Sequence, residues 1–146
     1  MSAMQNKEVV RRYIEEVFNR GHLNVADEVL APGFVDHNPM PGQASGIEGA
    51  IEFARDSRRS FPDLHIAIEQ MVAEGDTVAV RSTIHGTHQG EYRGIPPTGR
   101  RVSWQAMAFF RLANGKITER WSSQDHLGLL QQLGALPERL VVSTVR

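Results

Sequence analysis

The hydrophobic period of this chain changes at Pro62 from helical to two, and that change confines it to a fold whose helices and strands are segregated along the sequence. Before Pro62, Val10, Tyr13, Ile14, Val17 and Phe18 recur at i, i+3, i+4, i+7 and i+8. That spacing predicts one stripe of a helix that Asn6 caps and Gly21 ends. Asn24 is placed to cap a second, short helix carrying Val25, Val29 and Leu30 and stopped by Pro32. Ser45 and Glu48 make an S-x-x-E capping box for a third, with Ile47, Ala50, Ile51 and Ala54 on one face. After Pro62, Leu64, Ile66 and Ile68 alternate with His65, Ala67 and Glu69, as a half-buried strand requires. A turn at Glu74-Gly75-Asp76 leads into Val78, Val80, Ser82 and Ile84. Arg101 to Leu112 and Lys116 to Gln124 are two further strands, joined by Asn114-Gly115, a dipeptide that accepts positive φ at both positions and favours a two-residue type I′ turn. A last helix begins at about His126, presents Leu127, Leu130 and Leu133, and ends at Gly134.

The expected architecture is therefore α+β: three N-terminal helices, a curved and mostly antiparallel sheet packed on them, and an internal pocket between the two layers. With 146 residues, 40% of them hydrophobic, the chain suits a single domain spanning 1–146. Its tail, 137–146, is expected to frame a partner subunit or to fray. A net charge of -1 with both signs interspersed offers no basic stripe for nucleic acid and no polybasic patch for a membrane. Cysteine is absent, which removes thiolate catalysis and thiolate metal sites and is compatible with a reducing cytoplasm, the expected location. Residues 1–10 include Lys7 and Glu8 and do not read as a signal peptide, and no apolar run approaches the ~20 residues of a membrane helix.

Chemistry is expected at the end of the final hairpin. With Asn114-Gly115 as the turn, Ala113 faces Lys116, and an unbroken ladder sets Trp104 opposite Asp125 and Ala106 opposite Ser123. Ile117, Trp121 and Asp125 then share a mainly apolar face with Trp104, Ala108 and Phe110, Glu119 being the exception. A carboxylate among aromatics loses hydration, so its proton affinity rises toward the range of general acid–base work. Asp125 is also placed to cap the last helix at the Gly128 amide or a neighbour; spacing alone favours the cap, and the two roles are compatible. Adjacent strand residues point to opposite faces, so an Asp125–His126 pair is not expected. Met107 and Phe109 fall on the other, outward face and predict a homodimer or homotetramer built through the sheet.

Other polar residues have competing explanations. His37, in Val35-Asp36-His37-Asn38-Pro39, is a donor or acceptor at a cavity mouth, though a bond to a turn carbonyl explains it more simply. Residues 86–100, with four glycines and two prolines, read equally as a binding loop, with His88 and Tyr92 as contacts, or as a crossover in which His88 packs locally. The run Gly94 to Gly99 is followed by Arg100 and not by the Lys and Ser/Thr of a phosphate-binding loop, and its prolines remove amide donors. His85 and His88 diverge across a strand end without a third ligand, so no metal is expected. Tyr13 and Phe18 lie on a helical stripe that ordinarily packs into a core, and Trp104 and Trp121 have the same alternative.

Taken together, Phe34-Val35-Asp36-His37-Asn38-Pro39, Phe61-Pro62-Asp63-Leu64, Gly86-Thr87-His88-Gln89-Gly90, Gly94-Ile95-Pro96-Pro97-Thr98-Gly99, the stretch Gly115-Lys116-Ile117 through Trp121 to Asp125, and Gln132-Leu133-Gly134 resemble the SnoaL-like polyketide cyclase, or ester cyclase, family of the nuclear-transport-factor-2-like superfamily. The resemblance spans nearly the whole chain. It implies a cone-shaped α+β fold and a cofactor-free intramolecular aldol ring closure of a hydrophobic carbonyl compound such as a polyketide ester. In that reaction Asp125 removes and returns the proton and His37 is the first candidate donor to the enolate. Trp104, His88, Tyr13 and Trp121 are the expected substrate contacts. The same cone also serves lyases, double-bond isomerases and epoxide hydrolases, or a non-catalytic module for small-molecule binding or dimerisation. An Asp125 carboxylate aimed into an enclosed cavity with His37 in reach would mark catalysis; one committed to helix amides, together with a filled cone, would mark binding or scaffolding.

Overall fold

The computed structural model describes residues 2–139, so the expectation for the tail lies, from residue 140 onward, outside the described residues. Helix α1, Ala3–Arg12, starts one turn earlier than the sequence suggests: Ser2 caps it and exchanges bonds with Gln5 in a reciprocal capping box, while Asn6 is buried. The helix widens into a π-helical segment, Tyr13–Asn19, closed by Arg20 N–H bonding Glu15 O at 3.1 Å, five residues back. Gly21, at φ 72°, ends it, and Arg58 satisfies the Phe18 and Asn19 carbonyls at 2.9 and 3.0 Å. A 3₁₀ turn, Leu23–Val25, and a single-turn helix α2, Ala26–Val29, follow, then α3, Gly46–Ser60.

Between α2 and α3 lies a strand the sequence did not announce. Strand β1, Leu30–Asp36, contains Pro32 and Gly33, which local propensity disfavours in a strand. It lies at the sheet edge, where a proline lacking an amide proton is tolerated. Strands β2, His65–Glu74, β3, Thr77–Thr87, β4, Arg101–Ala113, and β5, Lys116–Gln124, complete the sheet in the order β1-β5-β4-β3-β2. Among the described residues only the β1–β5 pairing is parallel. Helix α4, His126–Gln132, is the last element among the described residues, with Gly134 at φ 78° just beyond it.

The core lies between the helices and the concave face of the sheet. Val10, Val17, Leu30, Phe61, Val78, Ile117 and Leu129 are all buried to within 1% or less of full burial. Asn19 fastens the π-helical segment to β2 by two bonds to Ile66, donating to its carbonyl at 3.0 Å and accepting from its amide at 2.7 Å. Toward one end the core thins and leaves a cavity.

Candidate active site

One extra residue in β5 decides which side chains enter that cavity. Ala113 pairs with Lys116 and Leu112 with Ile117, as the Asn-Gly turn dictates, but Arg111 pairs with Glu119, so Thr118 is a bulge and its hydroxyl bonds the Arg111 carbonyl at 3.1 Å. From there on every residue of β5 is displaced by one, and a displacement of one exchanges the faces. Ile117 points into the core, but beyond the bulge Arg120, Ser122 and Gln124 line the cavity while Glu119 and Trp121 lie on the outer side with Phe109.

The expected Trp104–Asp125 pairing is therefore corrected. Asp125 N–H bonds the Gln105 carbonyl at 2.9 Å, the Asp125 side chain is exposed, and its Oδ1 accepts from the Gly128 amide at 2.9 Å as the N-cap of α4. The carboxylate does not line the cavity. His126 does, because it follows Asp125 on the opposite side of the chain. The expected phase holds at Ile117 and reverses beyond Thr118.

Three other expected positions are corrected as well, Trp121 by the same bulge and His37 and His88 by their own local bonds. Trp121 stacks on His37 on the outer side, ring centroids 4.6 Å apart and planes 7° from parallel, and Arg111 lies over its ring at 5.4 Å. His37 is bound there to Glu119 at 3.0 Å, away from the cavity. His88 is fully buried behind Phe61: Thr98 N–H donates to its Nδ1 at 3.2 Å, and the Thr98 hydroxyl lies 3.0 Å from the same nitrogen. It holds together the two ends of the 86–100 loop, the packed-crossover alternative. That loop is stapled to α3, with the amides of Gln89 and Gly90 bonding Ser60 O and Ser60 Oγ bonding Glu91 O at 2.6 Å. Tyr13 and Trp104 do line the cavity.

The inner cavity, about 90 Å³, is walled chiefly by Ile14, Phe18, Phe61, Val80, Trp104 and Phe110. It adjoins a groove of about 600 Å³, with which it shares Met40, Phe53, Tyr92, Arg120, Ser122, Gln124 and His126. The apolar depth and the polar junction divide as a binding site should, one holding a hydrocarbon skeleton and the other orienting its oxygens. Gln124 is itself oriented, accepting from Trp104 Nε1 at 2.9 Å. Arg120 donates through Nη1 to Asp36 Oδ2 at 3.1 Å, both side chains nearly buried. Burial pushes the Tyr13 phenol up to about 12, with Arg120 pulling it down and Asp36 pushing it up, so it remains a protonated donor at neutral pH. Desolvation and the nearby Arg93 hold the His126 imidazole below its ordinary value, with Asp125 acting in the opposite direction. Among the described residues no Asp or Glu lines this cavity, and His126 is its sole histidine.

The match to the family model described as SnoaL-like polyketide cyclase runs over residues 8–133. This chain belongs to that family. An aklanonic acid methyl ester cyclase of Streptomyces peucetius is 30% identical over 132 residues, covering 87% of this chain and 89% of the relative. The nogalonic acid methyl ester cyclase of Streptomyces nogalater is 29% identical over 119 residues, covering 80% and 89%. The solved structure of TsrD from Streptomyces laurentii superposes with a TM-score of 0.85 at 30% identity, covering 93% of this chain and 99% of that one. SnoaL-like membership accounts for the α+β architecture, and within it Arg120, Ser122, Gln124 and His126 are the cavity residues that local sequence pattern does not point to. Their alternation with Trp121 and Ser123 was visible; the bulge that turns them inward was not.

Proposed function

We propose that the chain is a cyclase that closes a ring in a hydrophobic polyketide ester by intramolecular aldol addition, with His126 as the acid–base group of the cavity. The observation that carries this reading is the placement of a largely neutral imidazole at the junction of an apolar cavity and a polar groove with no carboxylate lining the cavity among the described residues. A neutral His126 ring nitrogen takes a proton from the carbon between two carbonyl groups of the substrate. The enolate carbon attacks the ketone, forming the new C–C bond and an alkoxide. The imidazolium returns its proton to that alkoxide, so the product is an isomer of the substrate and the enzyme is restored. No cofactor enters this sequence of steps. Asp125, expected from sequence to be the acid–base group itself, acts in this reading through His126, its negative charge favouring the imidazolium.

The named activities of the relatives make aklanonic acid methyl ester and nogalonic acid methyl ester the substrates to try. His126→Gln should lower turnover by about 10²–10⁴-fold, the usual contribution of a positioned acid–base group. Asp125→Asn should lower turnover far less than His126→Gln, because Asp125 acts only by favouring the imidazolium. Full activity of His126→Gln rejects the assignment, and the reverse ranking returns the role to Asp125. The narrow inner cavity and the capping role of Asp125 also favour a second reading, a module that binds such a compound without converting it; binding without a changed product identifies that case. Product analysis separates ring closure from a double-bond shift, an elimination or epoxide opening by the same base.

A further inference from the structure

The Arg120–Asp36 pair has a directed architecture. Asp36 is fully engaged outside the cavity: Oδ2 accepts from Arg120 at 3.1 Å and from Gln43 Nε2 at 3.4 Å, and Oδ1 accepts from the Asn38 amide at 3.0 Å. Among the described residues the guanidinium has only this one side-chain partner, through Nη1 alone. A guanidinium carries five N–H donors in a fixed plane, so the ion pair anchors Arg120 and leaves donors for whatever occupies the cavity it lines. Tyr13, in the same wall and close enough to feel both charges, adds a phenolic O–H.

Water is largely excluded here, with Arg120 13% and Asp36 9% exposed, so a charge formed beside the pair is weakly screened. A lone cation would be costly in such a place, and an ion pair already satisfied on every donor would have nothing to offer a ligand. The arrangement lies between those limits. A neutral carbonyl gains a hydrogen bond from it, whereas an oxyanion gains a charge-assisted one.

We infer that Arg120, anchored by Asp36 and flanked by Tyr13, is an oxyanion-binding residue and that the cavity takes β-dicarbonyl compounds as their enolates. The inference rests on the proposed proton abstraction by His126 and names the group that receives the resulting charge. As the proton leaves carbon for the imidazole, the electron pair moves onto the carbonyl oxygen facing Arg120. When the carbon attacks, that oxygen returns to a carbonyl and its charge passes to the new alkoxide, which His126 protonates.

The test uses benzoylacetone, a β-diketone with no second ketone positioned for ring closure, whose enolate is distinguished from the neutral forms by its ultraviolet absorbance. Wild-type protein should lower the apparent pKa of the bound diketone by about 1–3 units, the range an adjacent arginine produces on an acid. Arg120→Met should abolish the shift, and Tyr13→Phe should reduce it while leaving the ion pair in place. Asp36→Asn/Arg120→Met removes both charges and supplies a folded control, checked by circular dichroism, should Arg120→Met alone destabilise the protein. No shift with wild type, or an equal shift in the variants lacking Arg120, overturns the inference. An Arg120-dependent shift without turnover of a polyketide ester supports the inference and rejects the cyclase reading instead.

Discussion

At His126 the direction of the pKa shift sets the expected pH dependence. The proton-accepting form is neutral, and desolvation and Arg93 hold its pKa below the ordinary value of 6.5. Turnover should therefore hold as pH falls to 6.5 and decline only below it. Because the folded value lies below the unfolded one, the same group contributes stability that is present above 6.5 and lost as pH falls through the folded pKa. Arg93→Gln should raise the acid limb of a kcat/KM profile and Asp125→Asn should lower it, since the first removes a repelling charge and the second an attracting one. An acid limb above 6.5 in wild type would contradict the assignment. This residue also shows what local pattern conveys. Trp104 and Tyr13 were recognisable as aromatics on inward stripes. His126 and Arg120 were not, because their direction depends on a bulge some residues away rather than on their neighbours in sequence.

At the scale of elements, the spans of β4 and β5 and their turn were legible because hydrophobic alternation and Asn114-Gly115 are local signals. The observed turn has φ of 52° and 78° at those two positions, as that dipeptide allows. Thr118 carried no such mark. A bulge is held by a tertiary balance, here Ile117 buried on one side of it and Trp121 stacked with His37 on the other. Strand β1 was hidden for a related reason: Pro32 argued against it, and its ladder partner β5 and the core that buries Leu30 and Phe34 are assembled from distant parts of the chain. The 86–100 loop illustrates a constraint that sequence conveys only in part. A Cβ on Gly90 would collide with the Arg59 carbonyl oxygen, so only glycine lets the loop reach α3 there. Gly90→Ala should cost about 1–3 kcal/mol in thermal or chemical denaturation, as forced overpacking does, and should raise KM more than it lowers kcat, because Tyr92 in the groove wall moves with the loop. Gly33→Ala, in β1 with nothing within 4 Å of the added carbon, is the control and should be near neutral.

For the whole molecule, the bulge that furnishes the cavity also composes the outer face of the sheet. Val72 pairs with Ala79, Ala79 with Phe109, and Phe109 with Trp121, giving an apolar row that crosses β2, β3, β4 and β5. Val72 is 53% exposed, and Phe109 and its neighbour on that face, Met107, are each 55% exposed. Arg111 and Glu119, 3.0 Å apart, supply both charge signs beside the row, so a second copy turned through a two-fold axis would present each charge with an opposite partner. Self-association through this face is the expected outcome, with the two cavities facing away from the interface. Phe109→Asp should give a folded monomer by light scattering at micromolar concentration, with an unchanged far-ultraviolet dichroism spectrum. Phe110→Asp, one residue along and 3% exposed, should instead unfold the chain, because it puts an unpaired charge into the core beside Tyr13. A wild-type protein that is itself monomeric under those conditions, or a Phe109→Asp variant that still associates, would exclude this face as the interface.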